Sequence, residues 1–201
     1  MDFMQTFIIH NFKNRLHQVT YFFCKKQKII LTRTYVRVIM KLVMTMNRIY
    51  LCIDLKTFYA SVECIERGLD PFQTDLIVAD PSRAVGAICL AISPKMKERG
   101  IKNRCRVYEI PKEIKPIVAK PRMKKYMEYS TRIYKTYLKY LAPEDIYVYS
   151  IDEVFADITN YIKLYKLSPR DLVTKMIKDV YDSTGVTATA GIGTNMFLAK
   201  V

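Results

Sequence analysis

Three acidic residues stand where the surrounding chain calls for apolar ones. Asp54 closes the run R-I-Y-L-C-I-D (48–54), and Asp152 and Glu153 sit side by side within Y-S-I-D-E-V-F (149–155). Both segments are otherwise rich in the β-branched, apolar and aromatic residues of strands. Carboxylates gathered in a partly desolvated cleft repel one another and persist only when protons or cations neutralise them. With no histidine in either segment, the fitting cations are hard and oxygen-loving, Mg²⁺ or Mn²⁺. Two such ions about 4 Å apart form the usual clamp for in-line displacement at phosphorus. The competing reading of the Asp-Glu pair is a solvated turn.

The elements around these acids predict that they meet. Residues 48–54 read as a buried strand and 57–68 as a short helix, with Thr57 near its start and Gly68 past its end. Strand-like runs follow at 75–79 and 85–92. S-P-K-M-K-E-R-G (93–100) then carries a Ser N-cap, a Pro at the first helical position and a Gly stop. Residues 121–142 place Met123, Met127, Ser130, Tyr134, Tyr137, Leu138 and Leu141 three or four apart, predicting a long amphipathic helix with that stripe in the core. A strand pair spans 146–158, a helix opens at S-P-R-D (168–171) and stops at Gly185, a strand covers 186–192, and a last helix begins near Asn195. With 57–120 set aside, the order is β-α-β-β-α-β, a ferredoxin-like α+β sheet. In that fold the end of the first strand lies beside the tip of the 146–158 hairpin, so Asp54, Asp152 and Glu153 converge. The helix after Asp54 would aim its free N–H groups at the same place, a cradle for phosphate oxygens, and Lys97 and Lys200 could add to it.

Composition narrows the partners. The 201 residues include 33 Lys and Arg against 19 acids, a formal charge of +14, which favours polyanions such as nucleic acid, nucleotides or anionic membrane over neutral partners. The five cysteines show neither C-x-x-C nor zinc-finger spacing, and a reducing cytoplasm fits them. The two histidines, His10 and His17, lie near the N-terminus, so chemistry elsewhere must use carboxylates, Lys, Tyr or thiols. Residues 1–45 hold eight Lys or Arg and one acid, Asp2. A nucleic-acid arm and a transit-type peptide are the functional readings of that segment. The favoured expectation is an upstream extension outside the fold, with Met44 or Met46 as the start.

Four segments in order, D-L-K-T-F-Y-A-S-V-E (54–63), A-I-S-P-K-M-K-E-R-G-I-K (91–102), Y-S-I-D-E-V-F (149–155) and G-I-G-T-N-M-F-L-A-K (191–200), resemble the Y-family, or translesion, DNA polymerases, most closely the UmuC-like (ImpB/MucB/SamB) branch. The likeness runs from about residue 47 to the end. It implies a polymerase palm from 46–57 and 121–201, with a small α/β fingers domain, 58–120, inserted after the first palm strand. It further implies that Asp54, Asp152 and Glu153 are the catalytic, metal-binding carboxylates for two Mg²⁺ ions, replaceable by Mn²⁺, with the Leu55 carbonyl as a further ligand. Tyr59 would be the steric gate that excludes a ribose 2′-hydroxyl, and Phe58, Tyr59, Ser93 and Lys97 would bind nucleotide. The implied partners are DNA primer-template and dNTP, with a sliding clamp or SOS accessory subunits engaged through later domains.

Three departures qualify the likeness. Lys56 stands where many relatives have a second acid, outside the three-carboxylate set. Pro94 replaces a phosphate-binding Tyr, which shifts that duty towards Lys97. Family members also continue past residue 200 into a thumb and a little finger that grip DNA, so an N-terminal fragment is expected. Losing such phosphate contacts would remove most DNA affinity. The alternative expectations are a palm and fingers remnant that binds nucleotide or a partner without turnover, and a palm-type nucleotide cyclase.

Overall fold

The run that ends in Asp54 forms β1 (Tyr50–Leu55), a central strand of a four-stranded sheet. The computed structural model describes residues 48–80, 82 and 86–201, all within the unit Asn47–Val201. The basic segment 1–45, with His10 and His17, lies outside the described residues. After β1 come α1 (Phe58–Ile65), β2 (Leu76–Val78), β3 (Ala91–Ile92), α2 (Pro94–Glu98) and β4 (Ile117–Ala119). Then follow α3 (Met123–Tyr137), β5 (Ile146–Val148), β6 (Glu153–Asp157), α4 (Thr159–Tyr165), α5 (Pro169–Thr184), β7 (Ala188–Gly193) and α6 (Met196–Lys200).

The large sheet has the order β5-β6-β1-β7 with every neighbouring pair antiparallel. Taken with α3 and α5, this is the ferredoxin-like arrangement expected from the sequence: β1 and β5 run in the same direction and β6 returns between them. Alternation along β1 divides its side chains. Leu51, Ile53 and Leu55 point into the main core with α1, α3 and α5, while Cys52 packs with Phe155 and Ala199 of α6 on the other face. A separate three-stranded sheet, β3-β2-β4, lies within 76–119, where β2 pairs in parallel with β4. Its outer side carries a second small core of Ile77, Cys89, Ile92, Met96, Cys105 and Ile110. No helix among the described residues is long and apolar enough to cross a membrane.

Three local expectations need correction. The stripe on α3 holds only in part: Tyr137 and Leu141 are buried and Tyr134 packs against the core, but Met123, Met127 and Leu138 are exposed, and Tyr126, Tyr129, Ile133 and Thr136 are buried in their stead. Two of the tyrosines bury because their hydroxyls find carboxylates, Tyr126 at Glu63 and Tyr129 at Glu66, a partner no methionine can use. Of the predicted strand 85–92, residue 85 lies outside the described residues and 86–92 give only the two-residue β3: Leu90 N–H stays with the Val78 carbonyl of β2, whereas Cys89 N–H leaves for the Cys105 carbonyl. The helix predicted to 142 ends at Tyr137, and Pro143 opens a 3₁₀ turn instead.

Candidate active site

The register of the large sheet sets Asp54 directly opposite Glu153. Residues opposite one another in an antiparallel pair project from the same face, here the face of Cys52, Phe155 and α6. Asp152 is fixed one residue away: its carbonyl accepts from Leu55 N–H at 2.9 Å, and its carboxylate accepts from Ser150 Oγ at 2.6 Å. Tyr149 and Ser150 N–H groups both donate to the Glu153 carbonyl, shaping the hairpin turn that carries the acidic pair. Sequence reasoning brought these three acids to one sheet edge, and the backbone places them there.

Their environments differ sharply. Glu153 is buried, receives Lys200 Nζ at 2.9 Å on Oε1 and 3.0 Å on Oε2, and accepts from the Cys52 thiol at 3.4 Å. Lys200 also lies 4.4 Å from the centre of the Tyr149 ring, a cation–π contact. Burial, and then the bond to Glu153, push the Cys52 thiol up to about 12. Asp54 keeps contact with solvent, yet crowding by the protein and then repulsion from Asp152 and Glu153 raise its carboxyl pKa against the relief given by Lys200 and Lys97. The charge of Lys97, on α2, is thus felt at Asp54.

The donor set suits a hard divalent cation in chemistry: three carboxylates and the main-chain oxygens at the end of β1. Among the described residues no group of three His, Cys, Asp or Glu side chains is close enough to hold an ion as it stands. The Lys200 ammonium supplies positive charge at Glu153, where a metal would otherwise supply it.

Next to the acids, α1 starts at Phe58 after Thr57, whose backbone is left-handed (φ 47°). Thr57 Oγ1 bonds Ser61 Oγ at 2.9 Å and the Lys56 carbonyl at 2.8 Å, which ties the turn between β1 and α1. Phe58 is buried in the main core and anchors the helix. Tyr59 is half-buried, and burial followed by the Asp152 charge raises its phenol pKa. Its ring stacks on Tyr126 at 4.4 Å with 16° between planes. Ser93 is wholly buried: its hydroxyl caps α2 through Met96 N–H and donates to the Thr74 carbonyl at 2.7 Å. That commitment gives Ser93 a part in seating α2, the helix from which the Lys97 charge is felt at Asp54.

Two features escaped the sequence reading. Glu63, fully buried on α1, accepts from Arg122 Nε and Nη2 at 2.9 Å each, from the Tyr126 hydroxyl at 2.8 Å and from Arg67. The available signal was an acid between Val62 and Cys64 in an otherwise apolar short helix. The other is the close seat of α6 on β7, signalled by the G-I-G spacing of 191–193.

Comparison with known proteins bears on this site. The model of the impB/mucB/samB family matches residues 53–201. "DNA polymerase IV 2" of Bacillus subtilis (strain 168) is 32% identical over 162 residues, 79% of this chain and 38% of that protein. "DNA repair protein homolog YozK" of the same organism is 37% identical over 103 residues, 51% of this chain and 90% of that protein. In three of the relatives the chain spans only 35%, 38% and 37% of their length. Among solved structures, DinB from Sulfolobus solfataricus superposes with a TM-score of 0.63 at 24% identity, over 76% of this chain and 44% of that one. A Y-family DNA polymerase chimera gives 0.65 with the same identity and coverage.

Proposed function

The chain belongs to the impB/mucB/samB family of Y-family DNA polymerases, and from that premise we propose that residues 47–201 are the palm and fingers of a translesion enzyme performing templated nucleotidyl transfer. The large sheet with α3 and α5 is the palm, and 58–120, with its own three-stranded sheet, is the fingers. In the reaction a primer 3′-oxygen bonds to the α-phosphorus of a dNTP, the bond to the β-phosphate oxygen breaks, and pyrophosphate leaves with the proton passing to solvent. Asp54, Asp152 and Glu153, with the Leu55 carbonyl, would hold two Mg²⁺ ions. Bound there, such ions would supply a lowered pKa for the 3′-hydroxyl and positive charge for the triphosphate.

The chain's own groups do the positioning. Asp54 and Glu153 are held in register by the β1–β6 ladder, so their separation does not depend on a mobile loop. The first free N–H groups of α1, at Phe58 and Tyr59, face phosphate oxygens, and the Lys97 ammonium adds charge from the α2 side. The Tyr59 ring closes the pocket against the sugar, where a 2′-hydroxyl would collide with it. Ser93 serves by capping the helix that carries Lys97.

The observation that carries this reading is the Asp54–Glu153 register, with the Asp152 carbonyl accepting from Leu55 N–H at the same end of the β1–β6 ladder. It is tested by single-nucleotide extension of a labelled primer-template at low salt with Mg²⁺ or Mn²⁺, beside Asp152→Ala. Extension by the parent and none by the variant supports it. A second reading, nucleotide binding without turnover, is favoured by the Lys200 ammonium seated on Glu153. No extension with Asp152-dependent dNTP binding retained would select that one. Clamp or SOS-subunit contacts, cytoplasmic location and DNA gripping by later domains belong to this proposal through family membership alone.

A further inference from the structure

We propose that Tyr126, locked by Glu63 and Arg122, is a positioning residue that sets the sugar selectivity of Tyr59. The inference rests on the reading of Tyr59 as the sugar gate. A gate that rejects one oxygen atom must hold its ring to within a few tenths of an ångström, since a side chain that can swing aside gives a soft barrier. Tyr59 is only half-buried, with one side packed against the main core and the other open, so its rigidity depends on what that one side rests on. Its face rests on Tyr126, centroids 4.4 Å apart and nearly parallel, with Phe58 meeting the Tyr126 ring edge-on at 6.5 Å.

Tyr126 has no room to yield. It is fully buried, and its hydroxyl donates to Glu63 Oε1 at 2.8 Å. Glu63 is buried as completely and is gripped by both Arg122 nitrogens at 2.9 Å and by Arg67. Glu63 lies four residues after Tyr59, on the same face of α1. The contacts therefore close a loop from Tyr59 through Tyr126 to Glu63 and back along one helix, with Arg122 at the mouth of α3. A Phe at 126 over an apolar residue at 63 would fill the same space without the desolvation cost of a buried carboxylate. What the ionic version adds is a fixed ring position.

The experiment measures equilibrium binding of dATP and ATP, each with Mn²⁺, to the full chain, and reads the ratio of the two dissociation constants. The parent should favour dATP, and Tyr59→Ala should bring the ratio close to unity. Tyr126→Leu should lower the parent's ratio about two- to tenfold, the worth of a stacked aromatic pair, with dATP affinity unchanged. Tyr126→Phe, which keeps the stack and removes only the hydroxyl, should lower it less. In the Tyr59→Ala background Tyr126→Leu should change nothing further, which a general loss of structure would not produce. Arg122→Gln, at a side chain 42% exposed, gives the same test should Tyr126→Leu fail to fold, with a smaller fall expected. If Tyr59→Ala erases sugar preference while Tyr126→Leu, Tyr126→Phe and Arg122→Gln all keep the parent ratio, the positioning role is wrong and the gate stands. If Tyr59→Ala keeps the parent ratio, or neither nucleotide binds the parent, the gate reading fails and this inference with it.

Discussion

Replacing Gly191 by Ala should lift α6 off the sheet. A methyl group at Gly191 would sit 2.0 Å from the Ala199 carbonyl oxygen and 3.1 Å from its carbon. Ordinary contact begins at 3.4 Å, so the two backbones must part by at least 1.4 Å. The obstructing atoms are main chain, and no rotamer change relieves them. Three features go with the helix: Ala199 in its cluster with Cys52 and Phe155, the Lys200 bonds to Glu153 near 3 Å, and the cation–π contact at Tyr149. Overpacking of this kind costs about 1–3 kcal/mol, or roughly 2–12 °C in Tm for a unit of this size. Urea unfolding measures the loss, with Gly86→Ala as the matched control, since a methyl there meets nothing within 4 Å. The local signature is alkylation of Cys52 followed by peptide mapping. Under α6 that thiol is 5% exposed and raised to about 12, so it should be inert in the parent and labelled in the variant. A Gly191→Ala protein as stable as the Gly86→Ala control, with Cys52 still protected, would refute the close seating and with it the account of how Lys200 reaches Glu153.

Glu63→Gln should cost about 1–3 kcal/mol at pH 7, the range for a buried charge-assisted hydrogen bond, discounted because Arg122 and Arg67 are partly exposed. Burial pushes the Glu63 carboxyl up, but bonds from Arg122, Arg67 and Tyr126 outweigh it and hold its pKa below 4.5. Its stabilisation is thus complete above the unfolded value and lost as pH falls through the folded one. The gap between parent and variant in urea should narrow from pH 7 to pH 3, and a constant gap would contradict the assignment. Ser93→Ala should cost about 1–2 kcal/mol, since it removes an N-cap and a buried donor to Thr74. An unchanged unfolding midpoint would show that the hydroxyl does not seat α2.

What was legible in the sequence follows from where each signal resides. The ends of α5 were readable because Ser168 accepts from Asp171 N–H and Gly185 takes the left-handed conformation (φ 72°) that its residue type favours. Ser93 and Asn195 announce α2 and α6 in the same local way. β4 was not legible: Ile117–Ala119 is three residues between prolines, and it is a strand only because β2, some forty residues earlier, pairs with it. The phase of α3 was legible only in its last turns, at Tyr134, Tyr137 and Leu141. Earlier in the helix periodicity proposed Met123 and Met127, whereas Tyr126 and Tyr129 are buried against Glu63 of α1 and Glu66 at its end, which the α3 sequence cannot reveal. The acidic edge was legible because strand direction alone brings Asp54 opposite Glu153. The pairing of Glu153 with Lys200 needed the tertiary seat of α6 as well.

That pairing makes the acids unequal in a way composition does not suggest. Glu63 is saturated by two guanidinium groups and a phenol, all donating to one buried carboxylate. Glu153 depends on a single ammonium at the end of a side chain that is 48% exposed, with a thiol beside it. Among the described residues the Asp54 carboxylate has no hydrogen bond or ion pair, and desolvation first and repulsion from Asp152 and Glu153 second raise its pKa. Charge compensation therefore runs from closed at Glu63, through exchangeable at Glu153, to open at Asp54. A fold needs only the closed kind. A cation-dependent site needs the other two, because a counter-ion can enter only where the resident positive charge can be displaced or where there is none. At the sheet edge shared by β1 and β6, beside the ring of Tyr59, Glu153 and Asp54 supply these two kinds opposite one another.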